Sequence, residues 1–446
     1  MKKIIITLTV LLIAWSALLP QSKIGNETAA QKEQRMKWWT DARFGMFIHW
    51  GLYALPARHE WVKHNERLTN EQYQNYFEEF NPVNYDPVKW AKAAKQAGMK
   101  YAVLTSKHHE GFCLFDSKLT DYKSTNTPIK RDLVKEFVDA FRAEGLKVGF
   151  YYSLIDWHHP DFTIDRVHPQ RVTSSAEYET LNKGKDMNRY RTYLHDQIKE
   201  LLTNYGKIDI LWLDFSYPGE NGKGRDDWGA IELIKMVRKL QPGIIIDNRL
   251  DLNDYEDGYD FETPEQVSPS KLAEYKGKYW ETCQTFSGSW GYYRDESSWK
   301  TQRQLLDLLI TSTANGGNLL LNVGPTAKGE FDYRATEAIE KIGYWMQANS
   351  ESIYNCTYAP DEFGIPENID ARLTYNPERR RLYLHLFDYS SGGKIRLKGY
   401  KDKIKYAQLL NDNSEIRYQS NDNDIIFELP TQKPPYEVPV IELILK

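Results

Sequence analysis

Between residues 44 and 324 the chain alternates apolar strand-like runs with capped helical runs, and this alternation limits its fold more than any other feature. Residues 44–50 read as a strand. Asp86-Pro87 then opens a helix with a capping carboxylate and a proline at the first helical position, and the helix closes before Gly98. Residues 101–106 are strand again. Asp132 caps a helix whose apolar residues Val134, Phe137, Val138 and Phe141 recur at helical spacing, Gly145 stops it, and 147–153 return to strand. The cycle continues with a helix at 193–205, a strand ending in Asp214, a helix at 231–240 stopped by Pro242-Gly243, and a strand at 244–249. Strands at 279–285 and 318–324 flank a helix at 301–313. Strands joined through helices run parallel, and seven or so of them imply an α/β fold of the (β/α)8-type (TIM-like) barrel, not necessarily a perfect one. From about residue 355 the helices stop. Short runs at 372–375, 381–387, 394–397, 406–410, 425–429 and 440–445, split by turn residues, read as a β-sandwich. A chain of 446 residues thus divides into a chemistry-bearing barrel at 30–354 and a C-terminal β-sandwich at 355–446.

Residues 1–22 read as a signal peptide. Lys2 and Lys3 precede an apolar run over 4–19 that is short for a membrane span and is followed by Gln21, Ser22 and Lys23. The expected product is exported, periplasmic or secreted, with no membrane span in the mature chain. No cysteine near Leu19 offers a lipid attachment point, and an uncleaved anchor is the alternative because the small-residue cleavage site is weak. Cys113, Cys283 and Cys356 are too few and too scattered for a disulfide framework. The net charge of −4, without a basic run, excludes a nucleic-acid partner.

In such a barrel the active site lies at the carboxyl ends of the strands. The run Ile208-Asp-Ile-Leu-Trp-Leu-Asp-Phe215 puts Ile210, Trp212 and Asp214 on one face and Leu211, Leu213 and Phe215 on the other. The second face is wholly apolar, so Asp214 belongs inside, beside an indole, where a charge is costly unless pairing or chemistry retains it. One carboxylate could simply cap a loop. Other strand ends, however, supply His49-Trp50, His108-His109-Glu110, Tyr151-Tyr152, Asp247 with Arg249, and Trp280-Glu281, and packing alone does not explain that convergence. Zinc fits poorly: no His-Glu-x-x-His helix occurs, and the adjacent pairs His108-His109 and His158-His159 point opposite ways in extended backbone, so no metal site is expected. Glycoside hydrolysis fits better, because it needs two carboxyls, neutral hydroxyl partners and an aromatic wall. The chain is 13% aromatic.

Six motifs occur in one order over almost the whole mature chain: Phe44-Gly-Met-Phe-Ile-His49-Trp-Gly, Lys107-His108-His109-Glu-Gly-Phe, Trp212-Leu-Asp214, Asp247-Asn-Arg249, Ser289-Trp290-Gly-Tyr292 and Gly317-Asn-Leu-Leu-Leu-Asn-Val-Gly-Pro325. In these the chain resembles the α-L-fucosidases of glycoside hydrolase family 29. The resemblance implies a retaining exo-glycosidase acting on a fucosylated oligosaccharide or glycoconjugate, with Asp214 as nucleophile and no cofactor. It implies that His49, His108, His109, Tyr152, Trp212 and Arg249 hold the sugar hydroxyls or line the pocket, with Phe47 and Trp290 around the methyl group. His59-Glu60-Trp61-Val62 resembles the family's Glu-Trp-Tyr segment, with Val where Tyr is common, and extends the expected sugar contacts to Glu60 and Trp61. Glu265, in Asp260-Phe-Glu-Thr-Pro-Glu265-Gln, matches the family's Thr-Pro-Glu-type acid/base motif. Glu281 is the alternative, and a loop position favours Glu265. A binding protein that has lost catalysis, or a hydrolase of another L-sugar, are the competing functions.

Overall fold

The computed structural model describes residues 23–367 and 369–446; the expected signal peptide lies outside the described residues. Seven strands form one all-parallel sheet: β1 (Phe44–Ile48), β2 (Tyr101–Lys107), β3 (Lys147–Ser153), β4 (Ile210–Asp214), β5 (Ile245–Ile246), β6 (Glu281–Thr285) and β7 (Asn318–Val323). Their order is β5-β4-β3-β2-β1-β7-β6. No strand pairing joins β5 to β6. Instead, three isolated parallel bridges close the curled sheet through a segment that is not a regular strand: Asp247 to Phe261, Glu262 to Trp280, and Glu265 to Cys283. The imperfect barrel expected from the sequence is observed, and its imperfection sits at this closure.

The alternation of faces holds as expected. Ile210 and Trp212 pack inside the barrel with Phe47, Tyr101, Val103 and Tyr151, whereas Leu211 and Leu213 face the surrounding helices. Helices Pro87–Gln96 and Leu133–Ala143 begin at Asp86 and Asp132, whose carboxylates accept from first-turn backbone N–H groups. The helix expected at 193–205 begins earlier, as Met187–Asn204, because Asp186 caps it. Helix Ala29–Ala42, opened by a Thr28 capping box, is an element the sequence reading passed over. Its buried Met36, Trp39 and Ala42 join the interior cluster and plug the amino end of the barrel.

Strands β8 (Thr357–Tyr358), β9 (Ala371–Asn376), β10 (Arg381–Leu386), β11 (Lys394–Leu397), β12 (Ile404–Leu409), β13 (Tyr418–Asn421), β14 (Asp424–Glu428) and β15 (Val440–Leu445) form two antiparallel sheets. Strand β10 shows how they pack. Leu382, Leu384 and Leu386 face the three-stranded sheet, while Tyr383 belongs to the barrel-side core. Both faces of the larger sheet are therefore covered, and Trp345 ties the barrel side down by donating its indole N–H to the Val438 carbonyl at 2.7 Å.

The closing segment is anchored by Asp260. This carboxylate accepts from Arg35 at 2.7 Å, from Arg238 at 2.6 Å and from the Ile246 backbone at 2.8 Å. Burial opposes its charge, but Arg238 and Arg35 outweigh burial and hold it below the usual carboxylate range. Removing one partner of a buried pair costs about 3–5 kcal/mol. Asp260→Ala is expected to lose stability on that scale in urea unfolding, and a loss under about 1 kcal/mol would show that the closure does not rest on this group.

Candidate active site

A small cavity of about 90 Å³ opens at the carboxyl ends of the strands. Nearly every element of the barrel contributes. Phe47 and His49 come from β1 and its end, His108 and His109 follow β2, Tyr151 lies on β3, and Trp212 and Asp214 end β4. Arg249 follows β5, Glu265 ends the closing segment, Cys283 lies on β6, and loops bring in Trp61, Phe215 and Trp290. A second cavity, lined in part by Arg35, Arg238 and Asp257, lies apart from these groups, and its two guanidiniums are committed to Asp260.

Arg249 organises the charges. Its Nη1 donates to Asp214 Oδ1 at 2.8 Å, its Nη2 to Glu265 Oε2 at 2.8 Å and its Nε to Thr263 Oγ1 at 2.9 Å. The planar cation also lies over the Trp212 ring, 4.5 Å from its centroid. Burial opposes its charge, but Asp214 and other neighbouring groups outweigh burial and raise its pKa, so the guanidinium stays charged. The second oxygen of Asp214 accepts from the Tyr151 hydroxyl at 2.8 Å. Burial, reinforced by Asp214, pushes the Tyr151 phenol well above its ordinary value, which keeps it a donor. Asp247 is fully buried, and burial raises its carboxyl well above the usual range, so it adds no competing negative charge.

Opposite these groups stand three imidazoles: His49 Nδ1 is hydrogen-bonded to Asn322 Oδ1 at 2.6 Å and His109 Nδ1 to Ser153 Oγ at 2.7 Å, while His108 Nδ1 lies 3.4 Å from Glu110 Oε2 without a hydrogen bond. Burial, helped by neighbouring imidazoles, holds His49 and His109 well below the ordinary value, so both are neutral. Phe47 and Trp290 form an apolar wall, their rings edge to face at 6.1 Å. The loop carrying His109 is braced by a buried ion pair, Lys107 to Asp156 at 3.0 Å, and by the Trp157 N–H donating to the His109 carbonyl. Burial opposes the Asp156 charge, but Lys107 and two histidines hold its pKa down to about 2. Among the described residues no group of three or more His, Cys, Asp or Glu is arranged to hold a metal ion.

Two expected sugar contacts lie elsewhere. Tyr152 is on the outer face of β3, its hydroxyl donating to Gln197 at 2.7 Å. Strand alternation makes Tyr151 the inward residue, so Tyr151 replaces it in the cavity. Glu60 is buried behind the wall, where its Oε2 accepts from the Trp290 and Gly291 backbone N–H groups at 3.1 and 2.9 Å; it holds the Trp290 loop and does not line the cavity. The other expected residues, Phe47, His49, Trp61, His108, His109, Trp212, Asp214, Arg249, Glu265 and Trp290, all line it. Phe215 was expected on the outer face. At φ 87° it turns the chain out of β4, and its ring packs 5.4 Å from Trp61 and 5.0 Å from His109. Glu281 lies deeper, fully buried and hydrogen-bonded by the Tyr101 hydroxyl, and burial pushes its pKa up to about 7.

A sequence-family model described as alpha-L-fucosidase matches residues 14–351. The plasma alpha-L-fucosidase of Homo sapiens is 29% identical over 422 residues, which cover 88% of this chain and 85% of that protein. Among solved structures, alpha-L-fucosidase isoenzyme 1 from Paenibacillus thiaminolyticus is similar at 47% identity with a TM-score of 0.85, covering 93% of this chain and 99% of that one. A covalent intermediate trapped with 2-fluoro-fucosyl fluoride on a glycoside hydrolase family 29 alpha-L-fucosidase from Bacteroides thetaiotaomicron has 29% identity and a TM-score of 0.79. It covers 96% of this chain and 98% of that one.

Two measurements test this geometry. Tyr151→Phe removes a hydrogen bond to a charged group, worth about 1.5–3 kcal/mol, so kcat/KM on an aryl glycoside is expected to fall roughly 10- to 150-fold. Tyr152→Phe should change it less than about threefold, and the reverse pattern would return Tyr152 to the site.

The second concerns pH. Burial lowers His49 and His109 strongly, His158 to about 4, and His168 and His385 to about 3, so all five stay neutral in the fold. The unfolded chain protonates them below about pH 6.5, which draws the equilibrium toward unfolding as pH falls. Glu281 and Asp247, whose pKa values are raised, act in the opposite sense: the fold keeps protons that the unfolded chain releases above about pH 4. Five groups outweigh two, so the unfolding free energy in urea is expected to rise between about pH 4.5 and 6.5. A flat profile would contradict the neutral burial of these histidines.

Proposed function

The chain belongs to the α-L-fucosidase family and is a glycoside hydrolase, and from that premise we propose that it is a retaining exo-α-L-fucosidase that removes terminal α-L-fucose from oligosaccharides or glycoconjugates. The observation that carries this reading is the single guanidinium of Arg249 bridging Asp214 and Glu265 at the mouth of the cavity. A retaining glycosidase needs a nucleophile and an acid/base on the two sides of one glycosidic bond, and two carboxyls held by one guanidinium are near enough to flank it.

In this mechanism Asp214, its charge balanced by Arg249, attacks the anomeric carbon while Glu265 protonates the departing oxygen, giving a fucosyl ester of Asp214. Glu265, now ionised, takes a proton from water, which attacks the ester and releases fucose with its configuration retained. Arg249 serves both halves, since it contacts whichever carboxyl is charged. The intermediate trapped on the Bacteroides relative supports the covalent route. Glu265 is favoured over Glu281 because it lines the cavity, whereas Glu281 is sealed beneath it. The sugar's methyl group meets Phe47 and Trp290, and its hydroxyls meet the three histidines. Export follows from the reading of residues 1–22, and among the described residues no helix is long and apolar enough to cross a membrane.

Asp214→Gly is expected to lower kcat on an aryl α-L-fucoside by about 10³-fold or more, with azide restoring turnover and leaving a β-fucosyl azide. Near-normal activity in that variant would refute the nucleophile. Glu265→Gln should slow fucosides with poor leaving groups far more than activated aryl fucosides, because only the former need protonation. An equal loss on both, or a leaving-group-dependent loss in Glu281→Gln, would move the acid/base role away from Glu265.

A further inference from the structure

Two of the cavity histidines, His49 and His109, are each fixed by a partner whose hydrogen-bonding capacity is already partly spent, and this determines which ring nitrogen carries the proton. Asn322 Nδ2 donates to the Trp290 carbonyl at 2.7 Å. A carbonyl only accepts, so the amide cannot be flipped, and Oδ1 must be the atom facing His49 Nδ1. His49 therefore donates from Nδ1. Ser153 has one hydroxyl proton and donates it to the Ile155 carbonyl at 2.7 Å, so its oxygen can only accept from His109 Nδ1.

We infer that Asn322 and Ser153 are positioning residues that lock His49 and His109 as Nδ1–H tautomers, so that the pocket presents two bare Nε2 acceptors and selects a sugar face that donates two hydrogen bonds. His49 and His109 are held neutral by burial, which keeps those lone pairs free. The choice of L-fucose as ligand rests on the function proposed above; the tautomers do not. A ring hydroxyl both donates and accepts, whereas fluorine in its place cannot donate and sets one acceptor against another. The pocket should therefore discriminate against fluorine as strongly as against a missing hydroxyl.

The test has two arms. In the full-length protein labelled with ¹⁵N-histidine, long-range ¹H–¹⁵N correlation spectra should show protonated Nδ1 and unprotonated Nε2 for His49 and His109. Ser153→Ala should give His109 a mixture of tautomers. In the second arm, calorimetric binding of L-fucose is compared with its 3- and 4-deoxy and 3- and 4-deoxyfluoro analogues. Each fluoro analogue should bind no better than its deoxy counterpart, roughly tenfold or more below fucose, the scale of one hydrogen bond. Protonated Nε2 on either histidine in the unaltered protein, or fluoro analogues that bind like fucose, would overturn the inference. Tautomers as assigned with no binding of fucose would leave the lock standing and remove fucose as the ligand.

Discussion

Strands β5 and β6 do not pair, and the parallel sheet closes only through the three bridges made by residues 261–265. This closure is the constraint on which the site depends. Asp260, clamped by Arg35 and Arg238, fixes the start of the segment against β5, and Glu265 at its end is registered against Cys283 of β6. A regular strand would have committed its backbone to two neighbours over its whole length. Single bridges instead leave the last residue free to turn its side chain into the cavity, within reach of Arg249.

The charges follow from that arrangement. Arg249 is the cation that meets Asp214 and Glu265 together, and it does so from over the face of Trp212. The opposite wall is kept neutral by burial at His49 and His109. The cavity is thus divided into a charged side, suited to making and breaking a bond, and a neutral side, suited to holding hydroxyls. Asp247 and Glu281, buried and shifted toward their protonated forms, underlie the charged side without competing for Arg249.

Much of the barrel was legible because its signals are local. Asp86 and Asp132 announced their helices as side-chain caps, and the period-two pattern at 210–214 separated Trp212 from Leu211 and Leu213. The signals failed where a residue's direction depends on a partner far along the chain. Tyr151 and Tyr152 are adjacent and chemically alike, and only the register of β3 against β4, which sets Tyr151 beside Trp212, decides which one reaches Asp214. Glu60 and Trp290 are remote in sequence, so the hydrogen bonds that make Glu60 a brace for the Trp290 loop left no trace in the local pattern. Helix Ala29–Ala42 was overlooked because its polar sequence buries only three residues, against an interior it does not itself form.

By itself, therefore, the sequence determined the alternation of strands and helices, the inward place of Asp214 and the cluster of histidines and aromatics at the strand ends, because these follow from capping chemistry and side-chain periodicity. Tertiary structure alone decided that the barrel closes through an irregular segment, that Tyr151 and Phe215 enter the cavity while Tyr152 and Glu60 do not, and which groups stand behind His49 and His109. Those outcomes are set by hydrogen bonds between residues from about 40 to more than 270 positions apart, and such bonds exist only once the sheet has curled and brought its ends together.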